Sequence, residues 1–128
     1  MVRVLIADDH KAVRDNLRAV LNKQQPQWEI SEASDGQEAI DIFRKAPPDV
    51  AVLDIVMTPV GGVAAAYEMR RIDPKVKIIL ISGFYAPGDA SALTRLLGAG
   101  AFLPKSDAIM QLVPTIERVL SEESRPAS

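Results

Sequence analysis

The chain has 128 residues, of which 48% are hydrophobic and 25% charged, and its formal net charge is -2. This length suits one domain, and the composition is typical of a globular protein rather than a disordered or membrane chain. The slightly negative charge argues against nucleic-acid binding by this segment, because phosphate contacts require a basic patch.

The absence of cysteine excludes disulfides and thiolate metal sites, which fits a reducing cytosol. No apolar run approaches the ~20 residues that a membrane span requires. The chain opens directly into a predicted strand, without the features of an export signal. We therefore expect a cytoplasmic protein with no membrane partner.

The first half of the chain alternates strand and helix patterns. Short apolar runs indicate buried strands, and apolar residues at helical spacing indicate amphipathic helices. In the first helix, Arg14, Asp15, Arg18 and Asn22 are predicted to lie on the exposed face. The predicted elements are, in chain order, a strand ending at Asp8, a helix over 11–23, an edge strand over 28–33, a helix around 39–43 and a strand over 50–54.

The second half continues the alternation. Pro114 interrupts the apolar stripe of the last helix, so the start of that helix is not fixed by the pattern. Residues 121–128 are predicted to form a tail or the start of a linker. The predicted elements are a loop over 57–62, a helix over 63–71, a strand over 76–82, a loop over 86–89, a helix over 90–97 closed by Gly98, a strand over 101–103 and the last helix.

This order predicts an α/β fold in which helices cover both faces of a five-stranded parallel sheet, a doubly wound (βα)5 or flavodoxin-like arrangement. Ligands bind beyond the carboxyl ends of such strands. Asp8-Asp9, Asp54, Ser82 and Lys105 each directly follow or end a predicted strand, so we expect these side chains to meet at one edge.

Carboxylates about 4 Å apart repel by roughly 4 kcal/mol per pair at an effective dielectric constant of 20. The predicted cluster of Asp8, Asp9 and Asp54 therefore needs a cation or a proton. Because the ligands are oxygens, Mg²⁺ is favoured, with Mn²⁺ as an alternative to it.

Each of these residues also has an ordinary interpretation. Asp9 could cap the first helix, Ser82 could bond the loop backbone, and Lys105 could form a surface ion pair worth ~0 to 1 kcal/mol. His10 is interpreted as a surface loop residue rather than a metal ligand. The joint placement of these polar and charged residues at four strand ends favours the functional interpretation.

The segments VLIADDH, VLDIVM, the Gly61-Gly62 pair, IILISG and GAGAFLPK resemble, in order and spacing, the receiver domain of bacterial two-component response regulators. The resemblance covers nearly the whole chain, with residues 1–120 as the receiver domain. It is strongest for the subfamily whose output is a helix-turn-helix DNA-binding domain. Pro59 follows Thr58 where the family often has proline directly after the methionine, Gly61 replaces a common Asp or Asn, and Ser106 replaces a common proline after the lysine.

The resemblance implies a role for each matched residue. Asp54 would accept the phosphoryl group, and Asp8, Asp9, Asp54 and the backbone carbonyl of Val56 would hold Mg²⁺. The remaining matched residues are the switch and phosphate-binding residues Ser82, Lys105 and Phe102 and the small residue beside the acceptor, Gly83.

Val56 and Phe84 flank the path of a hydrolytic water and are both apolar, so neither can orient it. We therefore expect slow self-dephosphorylation. The resemblance further implies a sensor histidine kinase as partner, a possible homodimer, contact with DNA only through an output domain absent from this chain, and a switch that regulates transcription rather than a turnover enzyme.

Three other functions share parts of this pattern. A phosphohydrolase of the haloacid dehalogenase type needs a second Asp two residues after the nucleophile, where this chain has Val56. A flavodoxin-like nucleotide carrier needs a phosphate cradle where Asp8-Asp9 would repel phosphate. A receiver used purely as an interaction module remains open at the level of sequence.

Overall fold

The structure, a computed structural model, describes residues 1–84 and 87–122. Its elements are, in chain order, β1 Arg3–Ala7, α1 Lys11–Gln24, β2 Glu29–Ala33, α2 Gly36–Lys45, β3 Val50–Asp54, α3 Gly62–Ile72, β4 Ile78–Ser82, α4 Pro87–Leu97, β5 Ala101–Pro104 and α5 Lys105–Ser121. None of the helices within the described part of the chain is both long and apolar enough to span a bilayer.

The five strands form one parallel sheet in the order β2-β1-β3-β4-β5. Successive residues of a strand point to opposite faces, and each face carries its own apolar core. On β3, Val52 joins the core that includes residues of α1 and α5, whereas Leu53 joins the core that includes residues of α2, α3 and α4. The predicted doubly wound parallel sheet is confirmed, with β2 at an edge.

Several element boundaries differ from the predicted ones. Strand β4 begins at Ile78 rather than Val76, because the Val76 amide donates to the Asp73 carbonyl in a turn. Helix α4 begins at Pro87, so 88–89 lie in a helix and not in the predicted loop. Proline suits the first turn of a helix, where its missing amide proton costs no bond. Residue 86 of that predicted loop lies outside the described residues.

The last helix begins directly at Lys105 and runs to Ser121, so Pro114 lies in its interior. Its buried apolar residues pack against the sheet, where Leu112 and Ile116 are fully buried, whereas Met110 is exposed. Ser121, the first residue of the predicted tail or linker, closes this helix, and residues 123–128 lie outside the described residues.

Candidate functional site

Strand alternation brings two carboxylates to one face of the sheet. Val4 and Ile6 of β1 belong to the core under α1 and α5, so Asp8, two residues further on, continues on that face. On β3 the same alternation places Asp54 after Val52. The register pairs Ala7 with Leu53, so Asp8 and Asp54 occupy adjacent positions at the carboxyl edge. Both side chains are buried, being 0% and 1% exposed.

Lys105 reaches these carboxylates from the start of α5, the helix that covers the same face. Its Nζ lies 2.9 Å from Asp54 Oδ2 and 3.0 Å from Asp8 Oδ2. These contacts are ion pairs by distance, but neither Oδ2 atom has an aligned hydrogen-bond donor within residues 1–84 and 87–122. Ser106, which replaces the family's common proline, therefore does not keep Lys105 from the predicted position.

The electrostatics of the pocket follow from burial and close charges. Burial raises the pKa of the Asp54 carboxyl above its ordinary value, and the Asp8 charge adds to the rise, against the opposing effects of Lys105 and the Val56 amide. Burial lowers the pKa of Lys105, but its contacts with Asp54 and Asp8 outweigh burial and raise that pKa. The pocket therefore disfavours extra negative charge and holds the lysine in its charged form.

Asp9 is not the cap of the first helix. The N-cap residue of α1 is His10, and it makes no side-chain capping bond. Asp9 is instead partly exposed, and its Oδ1 lies 3.0 Å from His10 Nδ1. His10 is largely exposed, as predicted, yet its Nδ1 also lies 3.3 Å from Asp8 Oδ1. The histidine therefore touches both carboxylates of the loop between β1 and α1.

The donor atoms of this pocket fit a divalent cation. Ligand atoms of Asp8, Asp9, His10 and Asp54 all lie within 4.8 Å of one another. Three of the four are carboxylate oxygens, which hard cations prefer, and the two buried Oδ2 atoms lack aligned donors in the described part of the chain. The structure therefore supports an acidic pocket suited to such an ion.

The chain beyond Asp54 packs tightly against this residue. The Val56 amide donates to Asp54 Oδ1 at 3.2 Å, which fixes the carboxylate rotamer. A Cβ at Gly62 would overlap the Asp54 carbonyl oxygen, so α3 can begin this close to β3 only with glycine there. The intervening loop contains Thr58 and Pro59, whose peptide bond is cis.

Ser82 ends β4 at the same edge of the sheet and is buried. Its Oγ accepts a hydrogen bond of 3.0 Å from the Phe84 amide. Gly83 lies beside the lysine stem, where an added Cβ would come 3.7 Å from Lys105 Cδ. Val56 and Phe84 are 40% and 77% exposed, and they lie two residues after Asp54 and Ser82, beyond the carboxyl ends of β3 and β4.

Phe102 lies on β5 opposite Leu80, two positions before the Ser82–Pro104 pair. Strand alternation places it on the same face as Ser82, facing α4. The ring is partly buried against the core under α2, α3 and α4. It also lines a cleft of about 510 Å³ together with Ser91, Thr94, Arg95 and Ala99. An aromatic ring in this position has adjacent space into which it can rotate.

Arg14 was predicted to lie on the exposed face of α1, and that prediction is wrong. Its side chain is only 15% exposed, and its Nη1 donates to the Asp8 carbonyl oxygen at 2.6 Å. Helical periodicity could not reveal this contact, because it depends on how the loop between β1 and α1 folds back over the first turn of the helix.

Comparisons with known proteins agree with this site. Residues 4–117 match the family model described as the response regulator receiver domain. The transcriptional regulatory protein LiaR of Bacillus subtilis is 36% identical over 115 residues, which cover 85% of this chain and 54% of LiaR. The chain spans about half the length of the curated relatives it matches.

Solved structures show the same architecture. A two-component response regulator of the LuxR family from an Aurantimonas species has a TM-score of 0.84 and 29% identity, covering 94% of this chain and 86% of that one. The response regulator TrrA from Thermotoga maritima, solved in complex with Mg²⁺-BeF, has a TM-score of 0.79 and 28% identity, covering 93% and 99%. The chain therefore belongs to the family of receiver domains of two-component response regulators.

Proposed function

We propose that Asp54 accepts a phosphoryl group from a sensor histidine kinase and that the chain acts as a phosphorylation switch. One observation carries this proposal: Asp54 is a buried carboxylate at a strand end, with the Lys105 ammonium 2.9 Å away and the Asp8 carboxylate beside it. Phosphoryl transfer needs a positioned oxygen nucleophile and fixed positive charge, and this arrangement supplies both.

In the proposed reaction, a carboxylate oxygen of Asp54 attacks the phosphorus of a phosphohistidine on the kinase. A phosphorus–oxygen bond forms while the phosphorus–nitrogen bond breaks, and the electron pair of the broken bond stays on the histidine nitrogen. The Lys105 ammonium, already in contact with Asp54, balances the negative charge that arrives with the phosphoryl group. The chain is consumed in equal amount to the phosphate it accepts, so it is a switch and not a turnover enzyme.

Asp8, Asp9, Asp54 and the backbone carbonyl of Val56 would hold Mg²⁺, with Mn²⁺ as an alternative to it. The bound ion would neutralise charge on the phosphoryl oxygens. Support comes from the buried Oδ2 atoms of Asp8 and Asp54 and from the similarity to TrrA, which was solved with Mg²⁺-BeF. Asp9 is the most exposed of the three carboxylates, so an entering ion would meet it first.

Transmission of the signal would run from Ser82 to Phe102. The Ser82 hydroxyl would turn toward the new phosphoryl oxygens and give up its present bond with the Phe84 amide. Phe102 lies on the same face of the neighbouring strand and borders a cleft, so it can move as Ser82 moves. Two packings of one aromatic ring are the kind of bistable element that a switch requires.

The exposed apolar side chains of Val56 and Phe84 would make the phosphorylated state long-lived, and Gly83 would keep the acceptor accessible. Neither Val56 nor Phe84 carries a group that can orient a hydrolytic water. Loss of phosphate is expected to be faster in Val56→Asn, which supplies such a group, and in Phe84→Ala, which opens the path. A time course of intact mass after removal of the phosphodonor measures the rate of phosphate loss. Rates equal to that of wild type in both variants would refute the proposal.

The longer regulator to which this chain corresponds would control transcription. LiaR is named as a transcriptional regulatory protein, and the chain covers 54% of it. Residues 1–120 would be the receiver domain and 121–128 the start of a linker to a DNA-binding output domain. Phosphorylation would alter the surface around β4 and β5, which could act on that domain or on a second copy of the chain in a homodimer.

The test is incubation of the chain with acetyl phosphate and MgCl2, followed by intact-mass measurement. Wild type is expected to gain one phosphoryl group, and the gain should disappear on treatment with hydroxylamine, which cleaves acyl phosphates. Asp54→Asn should gain none. Asp41→Asn, which changes an exposed carboxylate on α2, is the matched control and should behave as wild type. A chain that gains no phosphate under these conditions would be a pure interaction module.

A further inference from the structure

We infer that Arg14 is a positioning residue that sets the orientation of the two metal ligands Asp8 and Asp9. The inference rests on the proposed function, because it concerns the cation that those two residues would hold. The observation behind it is the contact between the Arg14 guanidinium and the Asp8 main-chain carbonyl, with Nη1 2.6 Å from the oxygen.

The contact acts on the peptide group that joins the two ligands. A peptide group is planar, so the Asp8 carbonyl and the Asp9 amide turn together. The Asp8 amide is held on the other side, where it donates to the Ala33 carbonyl of β2 at 3.1 Å. With both ends of Asp8 fixed, the main-chain direction at Asp9 is fixed as well. Arg14 thereby sets the directions in which both carboxylates leave the backbone.

Arg14 is itself held in place. Its Nε lies 3.3 Å from Glu32 Oε1 on β2, while Arg18, one turn further along α1, lies 2.6 Å from Glu32 Oε2. The guanidinium of Arg14 is thus fixed by strand β2 and by its own helix before it reaches the loop. A rigid donor loses little side-chain entropy on making the contact, so it can define one loop geometry.

The charge of Arg14 alone would act in the opposite direction. A cation close to a metal site weakens the binding of a second cation, so simple removal of charge would tighten binding. Here the charge is paired with Glu32, which leaves the hydrogen bond to the Asp8 carbonyl as the main effect on the site. Weaker Mg²⁺ binding after removal of Arg14 would therefore indicate a positioning role, and tighter binding would indicate an effect of its charge.

The experiment is titration of the whole chain with MgCl2 by isothermal calorimetry, in wild type, Arg14→Ala and Arg18→Ala. Arg18 is the matched control, since it shares Glu32 and the same charge but makes its contact away from Asp8. Loss of a group that orients metal ligands typically weakens binding by about tenfold, so Arg14→Ala should raise the Kd for Mg²⁺ by about that factor. Arg18→Ala should change the Kd by less than about twofold, because the Arg18 side chain is partly exposed and contacts Glu32 and not Asp8.

A third variant, Arg14→Lys, keeps one donor for the Asp8 carbonyl without the fork that also contacts Glu32. It should recover part of the lost affinity, whereas a role based on charge would make it equal to wild type. The stability of each variant is measured by urea unfolding, so that loss of folded protein is not mistaken for loss of affinity. A purely structural role would lower stability and leave the Kd of the folded fraction unchanged.

The outcomes are distinguishable from failure of the proposed function. If wild type binds Mg²⁺ and Arg14→Ala binds it as well or more tightly, the positioning role is overturned while the proposed function stands. If Arg18→Ala weakens binding as much as Arg14→Ala, the effect comes from the contacts that both arginines make with Glu32 and not from the bond to Asp8, and the inference is again overturned. If wild type shows no Mg²⁺ binding, the proposed metal role itself fails, and this inference falls with it.

Discussion

Lys105 balances the charge of the buried carboxylates when no ion or phosphate is bound. Its ammonium lies within 3.0 Å of Asp8 and Asp54, two carboxylates that are almost completely buried. Without a positive charge these carboxylates would face each other in an apolar environment that raises the pKa of Asp54. The lysine therefore supports the fold as well as the proposed reaction.

Lys105→Met should destabilise the metal-free chain, because removal of one partner leaves two buried negative charges uncompensated. A loss of about 3 kcal/mol in the free energy of unfolding is expected at pH 7. The folded state binds the Asp54 proton more tightly than the unfolded chain does, and removal of Lys105, which lowers the pKa of Asp54, increases this difference in the variant. The variant therefore regains more stability than wild type as pH falls toward the unfolded pKa, and the loss should be smaller at pH 5. Urea unfolding in EDTA at pH 7 and at pH 5 measures the loss in the free energy of unfolding.

The control for this prediction is Lys75→Met, which replaces an exposed lysine after α3. Its effect on stability should be small at both pH values, since exposed charges contribute little. A Lys105→Met chain that matched this control would show that the ammonium has no part in stabilising the carboxylate pair.

At the scale of secondary structure elements, the ends of the helices position the site. Helix α4 ends with Gly98 at a φ of 66°, and the amides of Gly98 and Ala99 return to the carbonyls of Arg95 and Thr94. This is the closing pattern of a Schellman motif, which directs the chain into β5. Helix α5 then starts at Lys105 with no intervening loop, so the lysine is carried by the first turn of a long helix.

Gly98→Ala should lower stability by about 1–2 kcal/mol, because an L residue is strained at positive φ. The new Cβ would also press on the Arg70 guanidinium, 2.8 Å away, which can move aside. Gly88→Ala is the matched control within the same helix: its Cβ meets nothing within 4 Å, and alanine favours a helix by about 0.5–1 kcal/mol. Urea unfolding should therefore show that Gly98→Ala lowers stability and that Gly88→Ala raises it. Equal changes in the two variants would contradict this description of the helix end.

Pro114 lies in the interior of α5 and is exposed. Proline has no amide proton for the carbonyl four residues earlier, at Met110, and costs up to about 3 kcal/mol relative to alanine in a helix interior. Pro114→Ala should raise the free energy of unfolding by about 1–3 kcal/mol. Gln111→Ala, at an exposed position of the same helix, should change it by much less. Chemical denaturation of both variants measures these changes in the free energy of unfolding. A Pro114→Ala chain less stable than wild type would contradict the prediction.

At the scale of the whole molecule, the carboxyl edge is where the two faces of the sheet share one site. Asp8, Asp54 and Lys105 belong to the face under α1 and α5, whereas Ser82 and Phe102 belong to the face under α2, α3 and α4. In the proposed switch, a change at Asp54 would have to cross the sheet edge from one face to the other to reach Phe102 and α4.

Binding of Mg²⁺ should stabilise the folded chain, because only the folded state brings the three carboxylates together. At about one hundred times the Kd the gain is about 2.7 kcal/mol, or roughly 10 °C in Tm for a domain of this size. Asp9→Asn, at a partly exposed position, should reduce the gain while leaving the metal-free Tm nearly unchanged. Thermal scans with MgCl2 and with KCl at matched ionic strength measure the gain in Tm. If MgCl2 raised the Tm of wild type and of Asp9→Asn equally, Asp9 would be excluded as a ligand.

Much of the fold was predictable, because apolar periodicity reports local structure and burial directly. The bounds of β3 match the predicted ones, and α1 differs from its prediction by one residue. Predictions failed where a turn or cap competed with the pattern, as at Val76 and Pro87. The start of α5 could not be predicted, because a proline is favoured in the first turn of a helix, whereas Pro114 lies in the interior of a helix whose apolar side is held against the sheet.

The amino-acid sequence by itself determined the alternation of strands and helices and the set of polar residues at the strand ends. Those features depend on local periodicity and on the rule that parallel strands end at a common edge. Only the tertiary structure decided which faces the carboxylates share, that Lys105 reaches both of them, and that Arg14 turns inward to the Asp8 carbonyl. These contacts join elements distant in sequence, and their geometry follows from strand register and helix packing, which no local pattern contains.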